Sequence, residues 1–229
     1  MPKITGHRGA KDEWPENTIL GIQKAIEAGV SAIEIDIHKT QDNALVVIHD
    51  STLERTTNLQ GIVSEMTLEQ VRSANAGMGE KVPLLSEVIN LCIQSDTHLF
   101  IEVKDIRVQT ELAELLIEKK VFKNCTVICF NHTFIKNLKA TLPKVRTGCL
   151  MVANPINPHQ IVKDANADLL ALAIGTLDRS IVQNCHENDI SIAVWNANTE
   201  DEFQKVKSLK VDYITVSYTH LTLPTILLV

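Results

Sequence analysis

Residues 34–50 read EIDIHKTQDNALVVIHD, with Glu34 and Asp36 two apart in an isoleucine-rich run and His49 at the end of a second apolar run. Side chains alternate along a strand, so Glu34 and Asp36 share one face while Ile33, Ile35 and Ile37 take the other. Two carboxylates turned inward are costly unless positive charge offsets them. The same pattern of chemistry-bearing strand ends recurs in KITGHRG, which delivers His7 and Arg8 before Gly9, and in HLFIEVK, which places Glu102 and Lys104 two apart. An all-oxygen carboxylate set suits a hard divalent cation, Mg²⁺ or Ca²⁺, better than zinc. Two histidines beside such a cation can divide general acid and base work near neutral pH. Arg8 and Lys104 can neutralise a phosphoryl group. These residue types together point to phosphoryl transfer or phosphodiester cleavage.

The strands and helices that carry these residues alternate almost from end to end. Strand-like runs cover residues 3–8, 32–37, 44–49, 98–104, 126–130, 146–152, 168–173, 191–196 and 212–216, with helical patterns between most of them. Regular β/α alternation predicts a parallel sheet. Only HKTQDN separates the second run from the third, too short for a parallel crossover, so that link is a hairpin. Removing its return strand leaves eight parallel strands, the count of a TIM (β/α)8 barrel, whose sites lie at the carboxyl ends of the strands. A symmetric turn at Asp42–Asn43 would pair Asp36 with His49 and set the histidine beside the carboxylates. Thr67 reads as the cap of a short helix. Asn17 is placed either to cap the first helix or to reach the site.

The chain has 229 residues, 45% of them hydrophobic, enough for one sizeable core. With 22 basic against 28 acidic residues the net charge is −6, which argues against nucleic acid or an anionic membrane as partner. Five cysteines with no CxxC spacing read as buried apolar residues in a reducing compartment. With no secretory leader pattern and no long apolar run, the expected location is the cytoplasm, without stable membrane insertion.

The motifs GHRG (6–9), PENT (15–18), EIDI (34–37), VVIHD (46–50), LERTTN (53–58) and IEVKD (101–105) resemble the glycerophosphodiester phosphodiesterase family. VICFN (127–131) and AVWNAN (193–198) are weaker likenesses, and the ordered set covers roughly residues 3–216. The resemblance implies a barrel that hydrolyses a small-molecule glycerophosphodiester to sn-glycerol 3-phosphate and an alcohol. It implies His7 and His49 as the acid–base pair, and Glu34, Asp36 and Glu102 as ligands of one divalent cation, Mg²⁺ or Ca²⁺. Arg8 and Lys104 would contact the phosphate, and Trp195 would form a wall for the glycerol end.

No linker-like or low-complexity stretch divides the chain, so one domain is expected over residues 1–216; the resemblance adds residues 51–86 as a small inserted lobe, in which Arg55, Thr56 and Thr57 are expected to fix the loop. His38 is expected on exposed hairpin, and His132 as a cap or surface residue. The ending departs from the family, which continues from the last strand into a closing helix. Here SYTHLTLPTILLV (217–229) carries threonines and Pro224 that oppose a helix. The expectation is an atypical, non-native tail with the final helix missing or replaced. A phospholipase D- or C-like enzyme acting on lipid head groups and an inactive metabolite-binding barrel stand as alternatives.

Overall fold

A computed structural model describes residues 1–217; the expected atypical tail lies, except for Ser217, outside the described residues. Strand β1 (Lys3–His7) leads into α1 (Ile19–Glu27), and β2 (Ala32–Lys39) turns back as β3 (Leu45–Val47). Two helices, α2 (Leu68–Arg72) and α3 (Leu85–Gln94), precede β4 (His98–Val103). The alternation then runs α4 (Gln109–Lys119), β5 (Cys125–Cys129), α5 (His132–Thr141), β6 (Arg146–Met151), α6 (Pro158–Asp164) and β7 (Leu169–Ala173). It finishes with α7 (Arg179–His186), β8 (Ser191–Trp195), α8 (Glu200–Ser208) and β9 (Tyr213–Val216).

The sheet runs β1-β9-β8-β7-β6-β5-β4-β2-β3, and a further β1–β2 pairing closes the ring. All ring pairings are parallel, while β3 joins β2 antiparallel outside the ring. Among the described residues this is an eight-stranded parallel barrel wrapped by helices, with one extra strand. It is a TIM barrel, as the alternation predicts. Helix α6, at seven residues, is too short for its periodicity to show in the sequence; Pro158 at its first turn is its signal.

Two shells of side chains build the core. Ile33, Ile35 and Ile37 point outward and are fully buried against the helices, each contributing about 1.5–3 kcal/mol relative to exposure. Ala32, Phe100, Ile128, Leu150, Leu169 and Tyr213 fill the barrel interior. A separate cluster of Val46, Ile48, Leu53, Val63, Val71 and Val82 holds residues beyond β3 over the hairpin. Thr67 caps α2 through a reciprocal pairing with Gln70, as its position predicts. No helix among the described residues is long and apolar enough to cross a membrane. All five cysteines are buried and free.

The hairpin register differs from the expected one. Ile37 faces Val47, His38 faces Val46 and Lys39 faces Leu45, which sets Asp36 opposite Ile48 rather than His49. The cause is a three-residue loop, 41–43, in place of a symmetric two-residue turn. Asn43 donates its N–H to Thr40 O at 3.1 Å and takes φ +65°, the left-handed residue that closes such loops. The Thr40 hydroxyl binds Asp42 at 2.6 Å and accepts from the Ala44 N–H at 2.9 Å, locking the shift.

Candidate active site

Register brings the carboxylates together. Along the parallel pairs, His7 stands beside Glu34, and Asp36 beside Glu102. Glu34, Asp36 and Glu102 are all buried, and each offers an oxygen within 4.8 Å of the others'. Burial first, and then repulsion from Asp36 and Glu102, raises the Glu34 pKa well above the usual carboxylate range. Glu102 is raised for the same reasons, burial and then Asp36, against the pull of Lys104.

Arg8 and Lys104 answer that charge. Arg8 adopts φ +52° immediately after β1, a left-handed turn that is strained for a residue with a side chain. Its backbone N–H donates to Glu34 Oε2 at 3.1 Å, its Nε lies 3.1 Å from Asp36 Oδ2, and its Nη1 donates to Glu16 Oε1 at 2.9 Å. Lys104 Nζ lies 3.2 Å from Asp36 Oδ1 and also touches Glu102 Oε1. Burial disfavours the Lys104 charge, but Asp36 and Glu102 outweigh it and raise its pKa.

Asn17 reaches the site, and the cap of α1 is Thr18, whose hydroxyl accepts from the Gly21 N–H at 3.0 Å. The Asn17 amide donates to Asp36 Oδ2 at 2.9 Å and its oxygen accepts from the Asp36 N–H at 3.3 Å.

The two histidines arrive from different elements and both line the cavity. His7 Nε2 is 3.9 Å from Glu34 Oε2, and its Nδ1 lies 3.3 Å from the Ser217 hydroxyl. Burial, reinforced by Arg8, holds the His7 pKa well below its ordinary value. Because β3 ends at Val47, His49 is carried inward by the bend at residues 49–50 instead of by strand pairing. Its Nδ1 lies 2.6 Å from Asp50 Oδ1. His38, expected on exposed hairpin, is buried, with Nε2 at 3.0 Å from the His49 carbonyl oxygen. It lines a cleft with Ser51, Ser64 and Asp105, residues beyond the hairpin that the expectation did not take into account. His132 lies at the start of α5 with Nε2 2.9 Å from Leu150 O, while Asn131 supplies the cap.

The cavity, of about 240 Å³, has a charged side formed by His7, Arg8, Glu34, His49, Glu102 and Lys104. The rest of its lining is mostly apolar, with Phe100, Ile128, Leu150, Ala171, Ala193 and Trp195. Trp195 meets half-exposed Phe130 edge-on, with ring centroids 5.9 Å apart. Ser217, Asp50 and Glu16 are the site neighbours that strand alternation alone does not reveal. Asp50, directly after a candidate histidine, was the legible signal among them.

The three carboxylates fit a hard cation. They exceed the two cations facing them, and Glu34 Oε1 is buried with no hydrogen-bond partner among the described residues. A closed eight-stranded barrel with a charged cavity at the carboxyl ends of its strands has the architecture of a TIM-barrel enzyme.

Comparison with known proteins gives the family. The profile of the Glycerophosphoryl diester phosphodiesterase family matches residues 7–220, and this chain belongs to that family. A glycerophosphodiester phosphodiesterase of Caldanaerobacter subterraneus subsp. tengcongensis is 29% identical over 223 residues, covering 92% of each chain. A putative glycerophosphodiester phosphodiesterase of Bacillus subtilis is 28% identical over 94% of each. Among solved structures, a putative glycerophosphoryl diester phosphodiesterase from Silicibacter pomeroyi superposes with TM-score 0.90 at 21% identity, covering 97% of this chain and 92% of that one. A phosphodiesterase from Oleispira antarctica, solved in complex with the product sn-glycerol-3-phosphate, superposes with TM-score 0.88 at 22% identity, covering 96% and 95%.

Proposed function

We propose that the chain hydrolyses glycerophosphodiesters to sn-glycerol 3-phosphate and an alcohol, with one divalent cation and with His7 and His49 dividing the proton transfers. The observation that carries this reading is the convergence of Glu34, Glu102, two cations and two histidines on one cavity, with buried Asp36 offering an oxygen within 4.8 Å of those of Glu34 and Glu102. Glu34, Asp36 and Glu102 hold the cation, Mg²⁺ or Ca²⁺, which when bound polarises a phosphoryl oxygen. Arg8 and Lys104 orient the phosphate and offset its charge. One histidine takes the proton of the attacking oxygen and the other protonates the leaving alkoxide. Held neutral by burial and Arg8, His7 can accept a proton at neutral pH. Trp195 and the apolar wall receive the glycerol end and keep water from the charged side.

We read residues 1–216 as one domain carrying residues 51–86 as an inserted lobe, supported by the lobe's own apolar cluster. Five free, buried cysteines support a reducing, cytoplasmic setting, and a role in glycerol and lipid metabolism follows from the substrate class. A small-molecule substrate is the partner this cavity suits.

The test is release of sn-glycerol 3-phosphate from glycerophosphocholine with Mg²⁺ or Ca²⁺, then with chelator, alongside His49→Ala. Cation-dependent turnover lost by about 10²–10⁴ in the variant is the expected result. Turnover indifferent to both chelator and His49→Ala would refute the assignment. A second reading, hydrolysis of lipid head groups, draws support from half-exposed Phe130 beside Trp195 at the apolar side of the site. Preference for lysophosphatidylcholine over glycerophosphocholine in the same assay would select it.

A further inference from the structure

A run of charged contacts joins the two ends of the site through a residue outside the barrel. From Asp36 it passes to Arg8 Nε at 3.1 Å, and from Arg8 Nη1 to Glu16 Oε1 at 2.9 Å. Both Glu16 oxygens accept from Arg55, Oε2 from Nη1 at 2.9 Å and Oε1 from Nη2 at 2.8 Å. The same guanidinium holds Asp50, with Nε to Oδ2 at 2.6 Å and Nη2 to Oδ1 at 3.0 Å. Asp50 Oδ1 then meets His49 Nδ1 at 2.6 Å. Glu16 and Asp50 follow strands β1 and β3, whereas Arg55 belongs to the inserted segment 51–86.

We propose that Arg55 is a positioning residue through which the inserted lobe sets His49 and Arg8 together for turnover. This rests on the reading of His49 as an acid–base group and of Arg8 as a phosphate contact.

The physical basis is geometric. A carboxylate on Nδ1 fixes a histidine's ring orientation and leaves Nε2 as the nitrogen that faces the reaction. Asp50 can do so only while its own rotation is held. The planar fork of Arg55 grips both of its oxygens, which a single ammonium cannot reproduce while also gripping Glu16. Arg55 keeps Asp50 ionised, so Nδ1 carries the proton. On its other side, Glu16 is shared between Arg55 and Arg8, which ties the Arg8 guanidinium to the same clamp.

Arg55 is itself about half exposed, its side chain at 46%, and an exposed ion pair adds little to folding stability. A merely structural role would therefore leave little trace anywhere, whereas a positioning role appears in kcat.

The experiment measures kcat, KM and melting temperature for glycerophosphocholine at saturating divalent cation. The variants are Arg55→Met, Arg55→Lys, Asp50→Asn, Glu16→Gln, the two doubles of Arg55→Met with Asp50→Asn and with Glu16→Gln, and His49→Ala. Arg55→Met should lower kcat about ten- to a hundredfold with the melting temperature unmoved. Its KM should stay within about threefold of wild type. Arg55→Lys should recover little, and millimolar guanidinium should restore part of the Arg55→Met rate. In the Asp50→Asn or Glu16→Gln background, the further loss from Arg55→Met should shrink, the mark of residues acting as a unit.

A kcat within about twofold of wild type in Arg55→Met, with His49→Ala inactive, would overturn the proposal and leave the site reading intact. So would full additivity in both double variants, or a rise in KM alone, which would make Arg55 a direct substrate contact. Turnover persisting in His49→Ala would remove the site reading itself, and this proposal with it.

Discussion

Asp36 and Glu102 occupy directly neighbouring positions on the parallel strands β2 and β4, so one register places two inward carboxylates side by side. Lys104 Nζ bridges them, at 3.2 Å from Asp36 Oδ1 and in contact with Glu102 Oε1. With Glu34 beside them, negative charge remains in excess. That excess frames the first expectation.

Adding Mg²⁺ or Ca²⁺ to chelator-treated protein should raise its melting temperature, because a ligand that binds only the folded state stabilises it. At a hundredfold over Kd the gain is about 2.7 kcal/mol. Glu34→Gln removes one charge at the carboxylate whose Oε1 lacks a partner among the described residues, and should abolish most of the gain. An equal thermal shift in wild type and variant would place the cation elsewhere.

Asn17 holds Asp36 by two hydrogen bonds while its own backbone sits at φ +55°. Asn17→Ala loses both bonds and adds backbone strain, while Asn17→Gly loses the bonds and relieves the strain. Losing the contacts to a buried carboxylate should cost about 1–3 kcal/mol in urea unfolding, offset in part for the glycine variant. Both variants should lose activity alike. Wild-type turnover in Asn17→Gly would show that Asp36 needs no such support.

Gly9 follows Arg8 at φ +85°, and a Cβ there would lie 2.7 Å from Gly21 C and 2.9 Å from Ile22 N, both backbone atoms. Nothing in a helix backbone yields cheaply. Gly9→Ala should destabilise by more than about 2 kcal/mol and lower kcat by displacing Arg8. An unchanged denaturation midpoint would mean the β1–α1 approach is looser than this packing requires.

His98, at the start of β4, binds Thr126 Oγ1 at 2.9 Å and stacks edge-on against Phe100. Burial, then Arg146 and Lys3, lowers its pKa to about 4. The unfolded chain therefore binds this proton first as pH falls, so the contribution is whole above about pH 6.5 and declines towards pH 4. The loss is about 3 kcal/mol at its fullest. His98→Gln should flatten that part of the stability profile, measured by urea unfolding at several pH values. An identical slope in wild type and variant would assign the acid sensitivity to other groups.

Much of the architecture was legible because its signals are local. Strand alternation put Glu34, Asp36 and Glu102 on inward faces, and the short HKTQDN link excluded a parallel crossover. Helix α6 was harder to read, since its seven residues offer too few turns for periodicity, although Pro158 marked its start. The place of His49 was anticipated, but by the wrong geometry. The loop at 41–43 shifts the pairing by one residue, and the bend after Val47, not the hairpin ladder, turns the histidine inward.

By itself, then, the sequence determined the order of strands and helices, the inward faces of the carboxylates and the motif set that marks the family. These follow from backbone periodicity and residue chemistry within a few positions. Long-range packing selected Asn17 as the partner of Asp36 and brought His7 to Ser217, 210 residues away. It also decided that Arg55 joins Glu16 to Asp50. Such contacts arise where separate elements close upon one another, and their partners are chosen by register and packing across the whole barrel, which no local pattern encodes.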